Sequence, residues 1–298
     1  MKLPIFFICF FISIKSFSQE KVVKVNGIDF NVYTKGFENR KNNVPALIFE
    51  NGMGVGLDTW DLVIDELSKE VPVFAYERAN VGKSGKDYKL PAIGKVSENL
   101  KCILTTLNIQ PPYILIGHSM GGLYTRAYSG LYPNDIAGLV FIDPADFTET
   151  KITWNEIFQT IGVPEKKIEE MIYDRLYVTS KIDSLHYGSW SESQILGELR
   201  RTDFLEINSL PIPQVPIYFF MGGKFEVPLD RRSKDFDQEA FFMERTRVTI
   251  ERWRKFIYAS SKGGSLIYLS QSGHFIHRDD PRAVISNIKF LLDTILSK

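Results

Sequence analysis

The chain has 298 residues, 44% of them hydrophobic and 13% aromatic, enough to bury one large core without a second domain. Lysine plus arginine and aspartate plus glutamate both total 36, so no net field draws in nucleic acid or an anionic membrane. A small molecule is the expected partner.

Residues 1–18 combine an early lysine (Lys2), an apolar stretch over 3–14 and the small-X-small pattern Ser16-Phe17-Ser18, the pattern of a secretory signal peptide cleaved after Ser18. As a helix the apolar stretch spans roughly 18 Å, short of a hydrocarbon core of roughly 30 Å, so it predicts export to the periplasm or exterior without a retained membrane anchor. Cleavage removes Cys9 and leaves Cys102 as the one cysteine, which rules out an intramolecular disulfide or a cysteine metal site in the mature chain.

Next, 21–25 and 28–33 alternate in polarity around Asn26-Gly27, predicting an antiparallel hairpin at a sheet edge. Six apolar segments follow, at 46–49, 71–76, 113–116, 137–142, 217–221 and 265–269, and helical periodicity falls at 57–69, 94–107, 120–131, 247–260 and 281–296. This alternation predicts an α/β fold, a mostly parallel eight-stranded sheet with helices on both faces, as one domain over 19–298. It breaks once. Between Ile142 and Ile217 no strand is evident, yet Trp154, Phe158, Ile161, Ile168, Met171, Ile172 and Leu176 recur at helical spacing. That stretch is too long for a structureless loop, and a helical cap is expected over about 148–212. The cap aromatics Trp154, Phe158, Tyr173, Tyr177 and Trp190 have two available roles, lining the active site or packing the cap.

Chemistry concentrates at 117–121, Gly-His-Ser-Met-Gly, between an apolar strand and a helix in which Leu123, Ala127 and Leu131 repeat. A sharp strand-to-helix turn leaves the serine hydroxyl outward while the glycines let strand and helix crowd together, so Ser119 is the expected nucleophile. Serine needs a base, and histidine is suited to the task near neutral pH. The chain has four: His118, His186, His274 and His277.

In family order, Glu50-Asn51-Gly52-Met53-Gly54, the 76–84 stretch Tyr-Glu-Arg-Ala-Asn-Val-Gly-Lys-Ser, Gly117 to Gly122, Phe141-Ile142-Asp143-Pro144-Ala145 and Gly273-His274-Phe275-Ile276-His277 resemble the α/β hydrolases. Gly82-Lys83-Ser84 is similar to the end of a phosphate-binding loop, but Glu77 stands where that motif needs glycine, which argues against nucleotide binding. The resemblance implies that His274, in the loop after the last strand, is the general base, with His277 as its alternative. His118 shapes the elbow, and His186 is a surface residue of the cap. Hydrolases of this type carry their acid after the seventh strand, which implies Glu226, with Asp143 after the sixth strand as the alternative and Asp230 behind both. The oxyanion donors are the backbone N–H groups of Met53 and Met120, with the methionine side chains lining the acyl pocket. Asn51 replaces the histidine the family usually has.

The expected function is therefore a serine hydrolase of an ester, lactone or amide of a small, partly apolar substrate, needing neither metal nor organic cofactor. Two alternatives stay open: a ligand-binding protein on the same fold, and a lyase or peroxidase-like activity on the same residues.

Overall fold

Asn26 and Gly27 both adopt positive φ (52° and 82°), the backbone a tight two-residue hairpin turn needs. They join β1 (Gln19–Val25) to β2 (Ile28–Lys35) as an antiparallel pair at one sheet edge. The computed structural model describes residues 19–38 and 40–297. The expected leader over 1–18, with Cys9, lies outside them.

The remaining strands are β3 (Ala46–Glu50), β4 (Val73–Tyr76), β5 (Tyr113–His118), β6 (Ile136–Ile142), β7 (Ile217–Gly222) and β8 (Gly264–Leu269). The eight strands lie in the order β1-β2-β4-β3-β5-β6-β7-β8, with every pairing from β4 to β8 parallel. Each central strand is apolar throughout because both of its faces are covered. On β5, Tyr113 and Leu115 enter one core while Ile114 and Ile116 enter the other; on β6, Leu139 and Phe141 oppose Val140 and Ile142 in the same way. Side chains of period two thus feed two helical layers at once.

One layer consists of α1 (Ile64–Leu67) with the C-terminal α9 (Ile276–Asp279) and α10 (Pro281–Leu296). The other contains α2 (Ile93–Thr106), α3 (Met120–Leu131) and α8 (Gln238–Tyr258). Two expectations change. Residues 57–69 form a short 3-10 turn at Leu57–Trp60 and then the four-residue α1, not one helix. Helix α8 begins nine residues before the expected start at 247, its first turn capped by Asp237, which accepts the N–H groups of Glu239 and Ala240 at 2.9 and 3.1 Å.

After β6 come four helices: α4 (Lys151–Thr160), α5 (Glu165–Tyr177), α6 (Tyr187–Arg201) and α7 (Leu205–Asn208). Phe158, Val163 and Ile168 form a small third core together with Trp154, Phe236 and Phe241. The early part of α8 thereby becomes a wall of the cap.

Candidate active site

Ser119 sits between β5 and α3 with φ 52° and ψ −120°, a conformation that side chains rarely adopt. The backbone holds it there: its N–H donates to Ile142 O (3.2 Å), and its carbonyl accepts from Gly122 and Ala145 (both 2.9 Å). A methyl group on Gly121 would overlap the Glu50 carbonyl, and one on Gly117 would overlap Gly121 itself, so the elbow closes only with glycine at both positions.

Ser119, Asp143 and His274 line one cavity of about 250 Å³. His274 Nδ1 is 2.6 Å from Asp143 Oδ2. With an ionised carboxylate as acceptor, Nδ1 carries the proton and Nε2 is left as the basic nitrogen. Asp143 is itself held by the Gly222 N–H, which donates to Oδ1 at 3.1 Å. Glu226, the first choice from sequence, is not the carboxylate that meets His274. It pairs at the surface with Lys224 (2.7 Å), and Asp230 is exposed on the turn beyond. The reason lies at the end of β7: Asp143 donates its N–H to Phe220 O (2.9 Å) and accepts from Gly222, so the residue that follows β6 is held across the end of β7 against the histidine loop.

The other histidines separate cleanly. His118 is buried, and its Nε2–H donates to the His274 carbonyl (3.0 Å), tying the elbow to the histidine loop. Burial, with the neighbouring His277 and His274, holds it well below the usual imidazole range, so it stays neutral. His277 lies outside the cavity, its Nε2 2.8 Å from Thr59 Oγ1 and its ring 4.5 Å from that of Trp60; burial pushes it down to about 3. His186 is exposed and pairs with Asp183 (2.9 Å).

The loop after β3 is tied from three sides. Asn51 gives its amide N–H groups to Val55 O (3.1 Å) and Tyr76 O (3.0 Å) and accepts the Trp60 indole N–H (2.7 Å). Arg78, buried, donates to the carbonyls of Asn51 (2.9 Å) and Gly52 (2.8 Å) and to Glu50 (3.1 Å). Glu192, from α6, accepts from Arg78 Nε (2.6 Å) and from the Gly54 N–H (3.0 Å). Burial works against charge on Arg78, but Glu192 and Glu50 outweigh it and hold the guanidinium well above its ordinary value. Glu50 is pushed up to about 7 by burial, which Arg78 offsets only in part. Among the described residues the N–H groups of Met53 and Met120 make no hydrogen bond.

The methionine side chains do not line the cavity. Met120 is buried in the core and Met53 packs against it, whereas the wall beside Ser119 comes from Leu196, Met221, Phe242 and Trp253. Asp143, Gly222, Phe242, Arg245 and His274 also border an adjoining cavity of about 590 Å³, lined further by Trp154, Phe158, Met171, Ile172 and Phe241. Trp154 and Phe158 thus serve both as wall and as cap core, Tyr173 and Tyr177 are exposed, and Trp190 lies tilted against Tyr187 (centroids 5.4 Å). Three lining arginines, Arg175, Arg200 and Arg245, were not singled out from sequence. The signal for Arg245 was the Phe241-Phe242 pair behind the Asp237 cap, which extends α8 backwards.

Sheet order, elbow and histidine loop together define the α/β-hydrolase fold. Residues 45–162 match the family model described as alpha/beta hydrolase fold, in agreement with the fold of the structure. Over 132 residues it is 30% identical to the uncharacterized protein YqjL of Bacillus subtilis, covering 44% of this chain and 50% of that protein. The alignments thus span half or less of the curated relatives at the head of the comparison. Among solved structures, the epoxide hydrolase CorEH superposes with a TM-score of 0.60 at 16% identity, covering 93% of this chain and 99% of that one. The enol-lactonase of Burkholderia xenovorans gives 0.58 at 17%, covering 91% and 99%.

Proposed function

We propose that this protein is a serine hydrolase that cleaves a carboxylic ester, lactone or amide of a small, partly apolar substrate through an acyl-enzyme. The carrying observation is the single cavity that holds Ser119, on its positive-φ turn, together with a histidine whose Nδ1 is committed to Asp143. Ser119 Oγ attacks the carbonyl while His274 Nε2 accepts its proton; Asp143 keeps the imidazole in that tautomer and balances the positive charge it gains. The oxyanion is met by the N–H groups of Met53 and Met120. His274 then protonates the leaving alcohol or amine, and water, activated by the same nitrogen, releases the acid and regenerates Ser119. One solved neighbour is named as an enol-lactonase, which fits hydrolysis of this kind.

The test is covalent labelling. A fluorophosphonate is expected to add its phosphonyl mass to the peptide containing Ser119 and to nothing in Ser119→Ala, and that variant should lose roughly 10³-fold or more in kcat on p-nitrophenyl butyrate. Full turnover by Ser119→Ala overturns the proposal.

A further inference from the structure

Three helices each place one arginine around the reaction cavities: Arg175 from α5, Arg200 from α6 and Arg245 from α8. Their acidic partners are too few. Arg175 Nη2 and Arg200 Nε share the same oxygen, Glu149 Oε1, at 3.3 and 3.2 Å. The nearby Asp146 is taken by Arg252 at 2.5 Å, and Asp143 by His274. Arg245 is left without an ion pair or hydrogen bond among the described residues, and its Nε is buried without a partner. Its guanidinium carbon lies 5.9 Å from the Trp154 ring centre, over the same ring that Arg175 covers at 3.5 Å. The crowding is visible in Arg175 itself, which burial and then the neighbouring guanidinium of Arg200 push down to about 10.

A guanidinium presents a planar fork of N–H donors matched to an oxyanion, and keeping one in a cavity wall without a partner is costly unless something else supplies the acceptor. Arg245 borders both cavities, the one that contains Ser119 and the larger aromatic one. From this we infer that the substrate carries an anionic oxygen group, which Arg245 binds with support from Arg175 and Arg200 while the apolar remainder lies against Trp154, Phe158 and Phe241. The inference rests on the serine-hydrolase reading and narrows it to anionic esters. The competing carboxylates do not cancel the site: Glu226 is neutralised by Lys224, and Asp143 faces an imidazole that becomes positive during turnover.

The experiment compares matched esters. On the acyl side, the free-acid half-ester 4-nitrophenyl glutarate is set against 4-nitrophenyl valerate; on the alcohol side, 4-acetoxybenzoate is set against its methyl ester. Wild-type enzyme is expected to favour the anionic member of at least one pair in kcat/KM, and the preference should shrink as sodium chloride is raised. Arg245→Leu should cut that anionic-to-neutral ratio roughly 10- to 100-fold, with Arg245→Lys between the two and both variants checked for folding by thermal melting. The pair that responds tells on which side of the ester the anion lies. If wild-type hydrolyses both members of each pair equally at all salt concentrations, or Arg245→Leu leaves the ratio unchanged, the inference falls while the hydrolase reading stands. If no ester is turned over and Ser119 is not labelled, it is the hydrolase reading that falls.

Discussion

Asp143 bonds in two directions, to the Gly222 N–H and to the His274 ring, and its own backbone has positive φ (41°). A side chain so fixed orients the imidazole; one that spends its time with an exposed lysine, as Glu226 does, does not. The two carboxylates can be told apart by kinetics. Asp143→Asn keeps the shape but offers an amide where a carboxylate stood, and kcat on p-nitrophenyl butyrate should drop by about 10²- to 10⁴-fold with little change in KM. Glu226→Gln should stay within about twofold of wild type, since the pair it breaks is exposed. The opposite pattern would return the acid role to Glu226. The family's pattern ranks Glu226 first, since both carboxylates follow an apolar strand near a turn, and only the fold shows Asp143 held across the end of β7 and against the imidazole.

At the level of elements, helix α6 is bound to the catalytic body by more than apolar packing. Glu192 reaches from the cap to Arg78 and the Gly54 N–H, and so connects the cap to the loop that carries the Met53 N–H. Removing it leaves the Arg78 charge buried with Glu50 as its remaining acidic partner. Loss of one member of a buried pair costs about 3–5 kcal/mol, and the carbonyls that Arg78 also meets place this case near the lower end. Urea unfolding of Glu192→Ala should therefore show a loss of about 3 kcal/mol, against less than about 1 kcal/mol for Glu98→Ala, whose pair with Lys95 is on the surface. Equal losses would mean that the cap anchor is energetically idle. From sequence, 187–201 fall only within the expected cap, because a buried ion pair spanning 114 residues leaves no trace in local pattern. Helix α8 was cut short for a related reason: Gln238, Glu239 and Glu244 dilute its apolar stripe where it faces the cap instead of the sheet.

For the whole molecule, the buried neutral histidines set an acid limit. His277 is held to about 3 and His118 well below its ordinary 6.5, whereas in the unfolded chain both take up protons near that ordinary value. Below pH 6.5 the unfolded state thus binds more protons, and stability falls as pH drops toward 3; above 6.5 these groups contribute no slope. Each can add up to about 1.4 kcal/mol per pH unit. Melting at pH 8, 7, 6 and 5 should show a plateau followed by a decline, and His277→Gln should soften the decline. A variant with the same pH slope as wild type would remove His277 from this account.

The eight strands, the elbow around Ser119 and the position of His274 were legible in the sequence, because two-residue alternation, apolar strand runs and glycine at a tight turn are each written within a few neighbouring residues. Three features depended on tertiary structure: Asp143 as the carboxylate that meets His274, the route of Asn51 and Arg78 through the loop after β3, and the gathering of Arg175, Arg200 and Arg245 around the cavities. Asp143 and His274 are 131 positions apart, and the arginines come from three separate helices. Such partners meet through strand order and helix packing, so their identity is a property of the assembled sheet and cap and not of any local stretch of chain.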